Sequence, residues 1–263
     1  MLDYCFMIGS IAAQDSLWIV AIVSTIVLLL RLWHESLFSL YKMFSAYLVF
    51  SLIESSVLLL LARGTDAYGY GFLIFKSVGW LFQVLITLEL FTLILGRYPG
   101  IASLGARLVK TSSAIALIAA LLSVTVANAT HQYPLLDRFY LVSRVVYLSI
   151  FLFVVLMVSF LIWFPVPLSR NAVRYVTGYA IYLGAKVAAF FTINLFGTVL
   201  TGAVSNFLLS IDVACLIYWT ATFRHSGEEI TLTIGHSWNP HEEARLIGQL
   251  ESINASLLRT SRR

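Results

Sequence analysis

The chain has 263 residues, of which 60% are hydrophobic and only 11% are charged, whereas a soluble domain is about 45 to 50% apolar and about 25% charged. This composition excludes a soluble globular protein and predicts an integral membrane protein. The net charge of +4 comes from basic residues in the turns between apolar runs, so it predicts a membrane orientation and no nucleic-acid partner.

Seven apolar stretches are each long enough to cross a bilayer, which takes about 20 residues in a helix. They cover residues 16–33, 38–62, 71–96, 110–128, 139–164, 171–196 and 199–222. The sequence therefore predicts an all-α integral membrane protein with a seven-transmembrane-helix bundle over residues 1–223 and a tail over residues 224–263. Residues 1–14 lack the basic start of a cleaved signal peptide, and we expect them to form a retained external tail.

Lys and Arg residues are concentrated on one side of these predicted spans. The turns after the first, third and fifth spans with the span ends that adjoin them, and the tail, contain twelve of them, whereas the opposite loops contain only Arg63 and Arg138. Cytoplasmic loops carry the excess of positive charge in multi-pass proteins. We therefore expect the N-terminus outside and the C-terminus in the cytoplasm, in a plasma or inner membrane.

Ionisable residues also occur inside the predicted spans, and they are Glu54, Lys76, Glu89, Arg144, Lys186 and Asp212. A charge at the centre of a spanning helix costs about 2.5 to 3.5 kcal/mol, so such residues usually face the bundle interior and pair with one another. Lys76 and Arg144 lie close enough to the external ends of their helices to extend to the interface. Glu54, Lys186 and Asp212 lie deeper, and we expect them at the centre of a shared polar interior.

Polar side chains recur at helical spacing in these spans. In the sixth span, Tyr175, Tyr179, Tyr182 and Lys186 follow offsets of four, three and four, so they share one face of the helix. Because a polar stripe in hydrocarbon is costly, we expect the stripes of several spans to converge. The candidate ligand- or ion-binding residues are Glu54, Lys76, Gln83, Arg144, Tyr179, Tyr182, Lys186 and Asp212. The alternative is that these groups only fix the packing of the helices.

Three functions remain open for such an interior. The first is a sensor or receptor-like protein that binds a small ligand, and three cations against two deep carboxylates favour an anionic ligand. The second is a transporter or channel in which Glu54, Lys186 and Asp212 relay protons or ions. The third is a structural subunit of a membrane complex.

A pair of related segments bears on the transport hypothesis. "LITLELFTLI" (85–94) and "LLSIDVACLI" (208–217) place a hydroxyl and a carboxylate at the same offsets, which indicates parallel three-helix repeats. In outline this arrangement resembles the sugar-efflux transporters of the SWEET type. Those proteins have prolines within their helices, whereas the five prolines of this chain all lie outside the predicted spans.

The tail contains two further predicted elements. "EEITLTIG" (228–235) alternates apolar and polar residues, which predicts a strand that pairs with a neighbouring chain or with the rest of the tail. An amphipathic helix over about 240–259 follows, because Asn239 and Pro240 favour a helix start and leucines and isoleucine then repeat along one face. We expect this helix to lie on the bundle or the inner leaflet. The alternative is docking to a second copy of the chain or a cytoplasmic partner through residues 228–258.

The sequence predicts neither an enzyme nor a cofactor protein. It contains no nucleophile elbow, phosphate loop or zinc-protease motif, and the spacing of the tail histidines does not indicate a metal site. A lysine in mid-membrane beside carboxylates resembles the retinal proteins, which are also heptahelical. The retinal lysine lies on the last helix, with an aspartate four residues before it, whereas Lys186 lies on the sixth predicted span. We therefore expect no retinal.

Overall fold

The computed structural model of this chain describes residues 2–61, 65–96, 98, 107, 111, 134–164, 166–196, 200–233 and 240–261. The described part is mostly helical. Its helices are α1 (Leu2–His34), α2 (Lys42–Leu60), α3 (Asp66–Leu95), α4 (Pro134–Trp163), α5 (Arg170–Phe196), α6 (Thr201–Thr222), α7 (Ser226–Glu229) and α8 (Pro240–Ser261). Its strands are β1 (Pro167–Ser169) and β2 (Thr231–Thr233).

Six of these helices are long and apolar enough to cross a membrane. The candidate spans are Gln14–His34, Lys42–Leu60, Asp66–Leu95, Val142–Trp163, Arg170–Ile193 and Gly202–Thr222. They confirm six of the predicted spans and the multi-pass character of the protein. The predicted fourth span, 110–128, lies outside the described residues except for Thr111. The predicted fifth, sixth and seventh spans are therefore α4, α5 and α6.

Helix α1 begins at Leu2, well before its candidate span begins at Gln14. Residues 1–14 were predicted to form an external tail, whereas in the structure their backbone continues the first helix from Leu2 onward. No proline interrupts this stretch, and Ala12 and Ala13 are strong helix formers.

Side-chain contacts show that α1 and α6 run in parallel. Gln14 Nε2 donates to Ser205 Oγ at 3.3 Å near the start of both spans, and Arg31 Nε donates to the Phe223 carbonyl at 3.0 Å near their ends. Helix α5 is antiparallel to α6, because Asn171 at its start donates to the Arg224 carbonyl just beyond the end of α6.

The same kind of contact orients the remaining spans. Glu54 in the second half of α2 pairs with Lys76 in the first half of α3. Tyr147 in the first half of α4 stacks on Phe190 near the end of α5. Further contacts join the start of α2 to the end of α3, and the start of α5 to the end of α3. Helices α1, α3, α4 and α6 therefore run in one direction, and α2 and α5 run in the other.

The tail is attached to the bundle by a small sheet. Strand β2 pairs antiparallel with β1, in the register Pro167↔Thr233, Leu168↔Leu232 and Ser169↔Thr231. The predicted partners of this strand, a neighbouring chain or the rest of the tail, were wrong, because the strand pairs with the segment between α4 and α5. The observed strand also begins later than the predicted 228–235, because Glu228 and Glu229 belong to the helical turn α7, and residues 234 and 235 lie outside the described residues.

Helix α8 begins at Pro240 and is amphipathic. Leu250, in the middle of its apolar face, is fully buried and belongs to the main hydrophobic core. Ile253 on the next turn remains 46% exposed. The helix therefore contacts the bundle through part of its apolar face.

Candidate functional site

A cavity of about 330 Å³ lies inside the bundle, and all six spanning helices contribute to its wall. It extends from Gln14, Tyr68 and Ser205, near the beginnings of their spans, to Phe44 and Trp219 near the opposite end. Seven of the predicted site residues line it, namely Glu54, Lys76, Gln83, Tyr179, Tyr182, Lys186 and Asp212. The structure thus brings the polar stripes of different helices together.

The buried carboxylate of Glu54 is paired with Lys76. The distance between Lys76 Nζ and Glu54 Oε1 is 2.6 Å, and the two side chains are 38% and 9% exposed. The expected extension of Lys76 to the interface was wrong, because its ammonium group contacts Glu54. Glu54 shares the cavity wall with Lys186 and Asp212, but its ion-pair partner is Lys76. The two paired residues lie at the same level of adjacent antiparallel helices, so they reach each other first.

Lys186 is held by aromatic rings. Its Nζ lies 4.6 Å from the ring centroid of Tyr182 and 5.4 Å from that of Tyr147, within the range of cation–π attraction. Among the described residues no carboxylate oxygen lies within 4 Å of Nζ. The ammonium group therefore lines the cavity without a direct anionic partner.

Two polar atoms at the cavity lack hydrogen-bond partners. Asp212 Oδ1 and Trp219 Nε1 are buried, and neither has a partner within the described part of the chain. Both residues line the cavity. Buried polar groups are nearly always satisfied in folded proteins, so an unsatisfied acceptor and donor at one cavity require an explanation. A bound molecule that supplies a donor and an acceptor would provide one.

Other polar groups of the bundle interior are joined in a hydrogen-bond network. Tyr47 and Tyr182 share a hydroxyl contact of 2.9 Å, and Gln83 Nε2 donates to Tyr182 at 3.3 Å. Tyr179 donates to Gln83 Oε1 at 2.9 Å, and its hydroxyl lies 3.2 Å from that of Thr87. This network fixes one wall of the cavity across α2, α3 and α5. Lys186, Asp212 and Trp219 take no part in this network and are available to a ligand.

Arg144 is the predicted site residue that does not line the cavity. Its guanidinium lies 5.8 Å from the ring centroid of Phe191. Ser143 and Tyr147 occupy the cavity face of α4, and Arg144 is rotated about 100° around the helix from Ser143. Two cations and two carboxylates therefore line the cavity, and the charge count that favoured an anionic ligand no longer applies.

Aromatic side chains form the end of the cavity that is nearest the tail, and we call this its inner end. Phe44 packs against Trp219 and Tyr175 with centroid distances of 4.9 Å in both cases. Tyr41 packs against Tyr175 at 5.3 Å and stacks on Phe223 at 5.4 Å. This aromatic cluster, Tyr41, Phe44, Tyr175, Trp219 and Phe223, separates the cavity from the tail.

The aromatic cluster also holds the tail. The Tyr41 hydroxyl donates to Glu228 Oε1 at 2.6 Å, and Asn171 Nδ2 donates to the same oxygen at 2.7 Å. Burial, together with the adjacent carboxylate of Glu228, raises the pKa of Tyr41 well above its ordinary value. Tyr41 is therefore a neutral hydrogen-bond donor at physiological pH. The inner end of the cavity and the first residues of the tail are in direct contact.

Helix α1 contributes a stripe of residues to the cavity that was not predicted from the sequence. Gln14, Trp18, Ala21 and Thr25 line the cavity and follow helical offsets of four, three and four. Its spacing was detectable in the sequence, but none of its residues is charged, and the prediction of the site was based on charged residues.

Glu89 has a structural role that the sequence did not reveal. It accepts hydrogen bonds from the backbone N–H groups of Met43 at 2.7 Å and Phe44 at 3.1 Å. It therefore caps the first turn of α2, whose own N-cap residue, Tyr41, makes no side-chain capping bond. A cap supplied by another helix leaves no local sequence signal.

The fold and site define a multi-pass helical membrane protein with a polar internal cavity. Comparisons of the chain with known protein families, with curated proteins and with solved structures found no match. Within the described ranges, no group of three or more His, Cys, Asp or Glu side chains could hold a metal ion. The chemistry of the cavity itself is the basis for a functional proposal.

Proposed function

We propose that this chain is a seven-helix, sensor- or receptor-like membrane protein that binds a small polar molecule in the central cavity. The observation that carries the proposal is the pair of buried, unpartnered atoms, Asp212 Oδ1 and Trp219 Nε1, in residues that line the same cavity as Lys186 with its unpaired ammonium. A ligand with complementary groups would satisfy all three. Ligand binding would change the packing of the aromatic cluster and, through it, the position of the tail. The tail would then signal to a cytoplasmic partner.

The charges of the cavity favour a zwitterionic ligand. Glu54 and Lys76 neutralise each other through their ion pair. The remaining charges are one cation, Lys186, and one carboxylate, Asp212. A molecule that carries both an anionic and a cationic group would meet both of them, whereas a simple anion would leave Asp212 without a partner.

The proposal includes a seventh spanning helix at 110–128. Helices α3 and α4 run in the same direction, so the chain between Leu95 and Pro134 has to return across the bundle before α4 begins. The apolar stretch 110–128 has the length that such a crossing requires. The distribution of Lys and Arg supports an external N-terminus and a cytoplasmic C-terminus.

Transport of a small solute or ion is the second candidate. Lys186 and Asp212 are charges inside spans without a direct ion pair, which is the kind of group that a proton or ion relay uses. Sensing is favoured because the aromatic cluster closes the inner end of the cavity, and transport would require this cluster to open.

The structural-subunit hypothesis loses one of its supports. It drew on a tail strand in need of a neighbouring chain, and β2 already has a partner in its own chain. Truncation of residues 224–263 followed by native mass measurement remains its test, and loss of an oligomer would favour it.

Binding can be tested by thermal unfolding of the full chain in detergent with a panel of zwitterionic, anionic and cationic small molecules. We expect a zwitterion to raise the melting temperature. Its dissociation constant should rise by about 10-fold or more in Lys186→Met and in Asp212→Asn, because each variant removes a charge-assisted hydrogen bond. Asp66→Asn, an exposed carboxylate in the first turn of α3, is the matched control and should bind like the wild type.

An unchanged melting temperature across the whole panel, or equal affinity in Asp212→Asn and wild type, would contradict the proposal. Flux measurements in proteoliposomes with the same molecule separate the two candidates. Binding without flux supports a sensor, and flux that is lost in Lys186→Met supports a transporter.

A further inference from the structure

A second concavity lies where α5 begins and α6 ends. This open pocket of about 300 Å³ is lined by Arg170, Arg174, Thr222, Arg224, Ser226 and Ile230, among others. We refer to it as the arginine pocket. It shares no lining residue with the central cavity, so its role is independent of the function proposed above.

The local fold concentrates the three guanidinium groups. Arg170 and Arg174 are one turn apart on α5 and therefore share a face. Arg174 Nη1 donates to the Thr222 carbonyl at the end of α6. The Arg170 N–H donates to the Ile230 carbonyl at 2.9 Å and fixes the chain that follows Arg224 against α5.

These arginines lack anionic partners. In the part of the chain that the structure describes, no carboxylate oxygen lies within 4 Å of any of the three guanidinium groups. The carbonyl groups at the C-terminus of α6 explain the position of Arg174, since a cation is favourable there. They do not explain Arg170 and Arg224, whose side chains have no polar partner among the described residues. Glu228, the nearby tail carboxylate, is already bound to Tyr41 and Asn171.

Clustered guanidinium groups are suited to a phosphate group. Arginine presents a planar set of donors that matches phosphate oxygens in a bidentate arrangement. An anion between the three side chains would also relieve their mutual repulsion. The Ser226 hydroxyl on the rim adds an uncharged donor. The shared chemistry of the ligand is therefore a phosphate group, carried by a lipid or free in solution.

The surroundings of the pocket favour a lipid. It lies at the ends of the candidate spans Arg170–Ile193 and Gly202–Thr222. On α5, Thr177 and Ile181 continue the face of Arg174 into the span, and Ile217 lies in the last two turns of α6. Ile181 and Ile217 are both 55% exposed. A headgroup on the arginines would therefore place acyl chains along an apolar surface.

We propose that the arginine pocket binds the phosphate group of an anionic phospholipid, whose acyl chains lie along the exposed faces of α5 and α6. Basic pockets between spanning helices on the cytoplasmic side are suited to lipid headgroups. The bound lipid would cover the junction between α5, α6 and the start of the tail.

Native mass spectrometry of the full chain, with phosphatidylglycerol and phosphatidylcholine titrated in detergent, tests this site. We expect one tightly bound phosphatidylglycerol, preferred over phosphatidylcholine, and an affinity that falls about 30-fold in Arg170→Met/Arg224→Met. Arg174 is left intact because it caps α6. Lys42→Met/Arg245→Met removes the same charge from exposed positions outside the pocket and should bind like the wild type.

A second variant keeps the result interpretable if the double arginine variant does not fold. Ser226→Asp introduces a carboxylate at an exposed rim position and should abolish the preference for phosphatidylglycerol.

Equal losses in the two double variants, or no preference between the two lipids in the wild type, would overturn the proposal. Displacement of the lipid by low millimolar inorganic phosphate would assign the pocket to free phosphate and overturn the lipid as its occupant. Retained binding at the central cavity in these variants would show that the two sites are separate.

Discussion

At the scale of single residues, the charges inside the bundle differ in how they are compensated. Glu54 and Lys76 form an ion pair, and Lys186 relies on the rings of Tyr147 and Tyr182. Asp212 retains an unpartnered oxygen. The ion pair therefore contributes to the stability of the bundle, whereas Lys186 and Asp212 remain available for binding.

The Glu54–Lys76 pair can be measured by a double-mutant cycle. Glu54→Gln leaves Lys76 without its partner, and Lys76→Met leaves a buried carboxylate, so we expect each to lower the melting temperature. The double variant should recover part of the loss, with a coupling free energy of about 1 to 3 kcal/mol, because the pair is buried on one side and partly exposed on the other. The measurement is thermal unfolding of all four proteins in the same detergent.

The control for this cycle combines Lys76→Met with Glu251→Gln, an exposed residue of α8. This pair should be additive. Additivity in the Glu54–Lys76 cycle as well would mean that the 2.6 Å contact contributes no stability.

At the scale of elements, α2 depends on groups from other helices. Its first turn has no local side-chain cap, and Glu89 of α3 accepts its backbone N–H groups. A carboxylate at a helix N-terminus is also favoured by the helix dipole. The first turn of α2 contributes Phe44 to the aromatic cluster, so this cap also positions the inner end of the cavity.

Loss of the Glu89 cap should destabilise the protein measurably. We expect Glu89→Ala to lower the free energy of unfolding by about 1 to 2 kcal/mol, because two backbone N–H groups of the first turn lose their acceptor. Glu89→Gln keeps one acceptor oxygen and should lose less. Thermal unfolding in detergent reports both changes, with Glu229→Ala, an exposed carboxylate of α7, as the control. Equal stability of Glu89→Ala and Glu229→Ala would exclude a capping role.

At the scale of the whole molecule, the cavity and the arginine pocket lie at different levels of one bundle. The cavity begins near the starts of α3 and α6, and the aromatic cluster closes its inner end beside the tail. The arginine pocket lies at the tail end. The far end of the cavity and the tail therefore lie towards opposite ends of the bundle.

The orientation can be tested by cysteine labelling in intact cells, in a chain that carries Cys5→Ser and Cys215→Ser. A membrane-impermeant maleimide should label Ala67→Cys, at the start of α3, without permeabilisation. It should label Ser39→Cys, in the turn between α1 and α2, only after permeabilisation, because the basic turns are expected in the cytoplasm. The reverse pattern would invert the assignment of both sites to the two sides of the membrane.

Part of the candidate site was predictable from sequence because a helix repeats its faces at a fixed spacing. Tyr179, Tyr182 and Lys186 follow that spacing and line the cavity together. The same rule placed Arg144 on the cavity face, and it failed there, because Ser143 and Tyr147 occupy that face. Spacing defines which residues share a stripe, but the rotation of the helix in the bundle decides where the stripe points.

The sequence by itself determined six membrane spans and the helical class, because the hydropathy of about 20 consecutive residues is a local property. The tertiary structure decided which charges meet. Glu54 pairs with Lys76 and not with Lys186, and β2 pairs with β1 and not with another chain. These choices depend on the height, direction and rotation of neighbouring elements. Packing between residues that are distant in sequence sets all three.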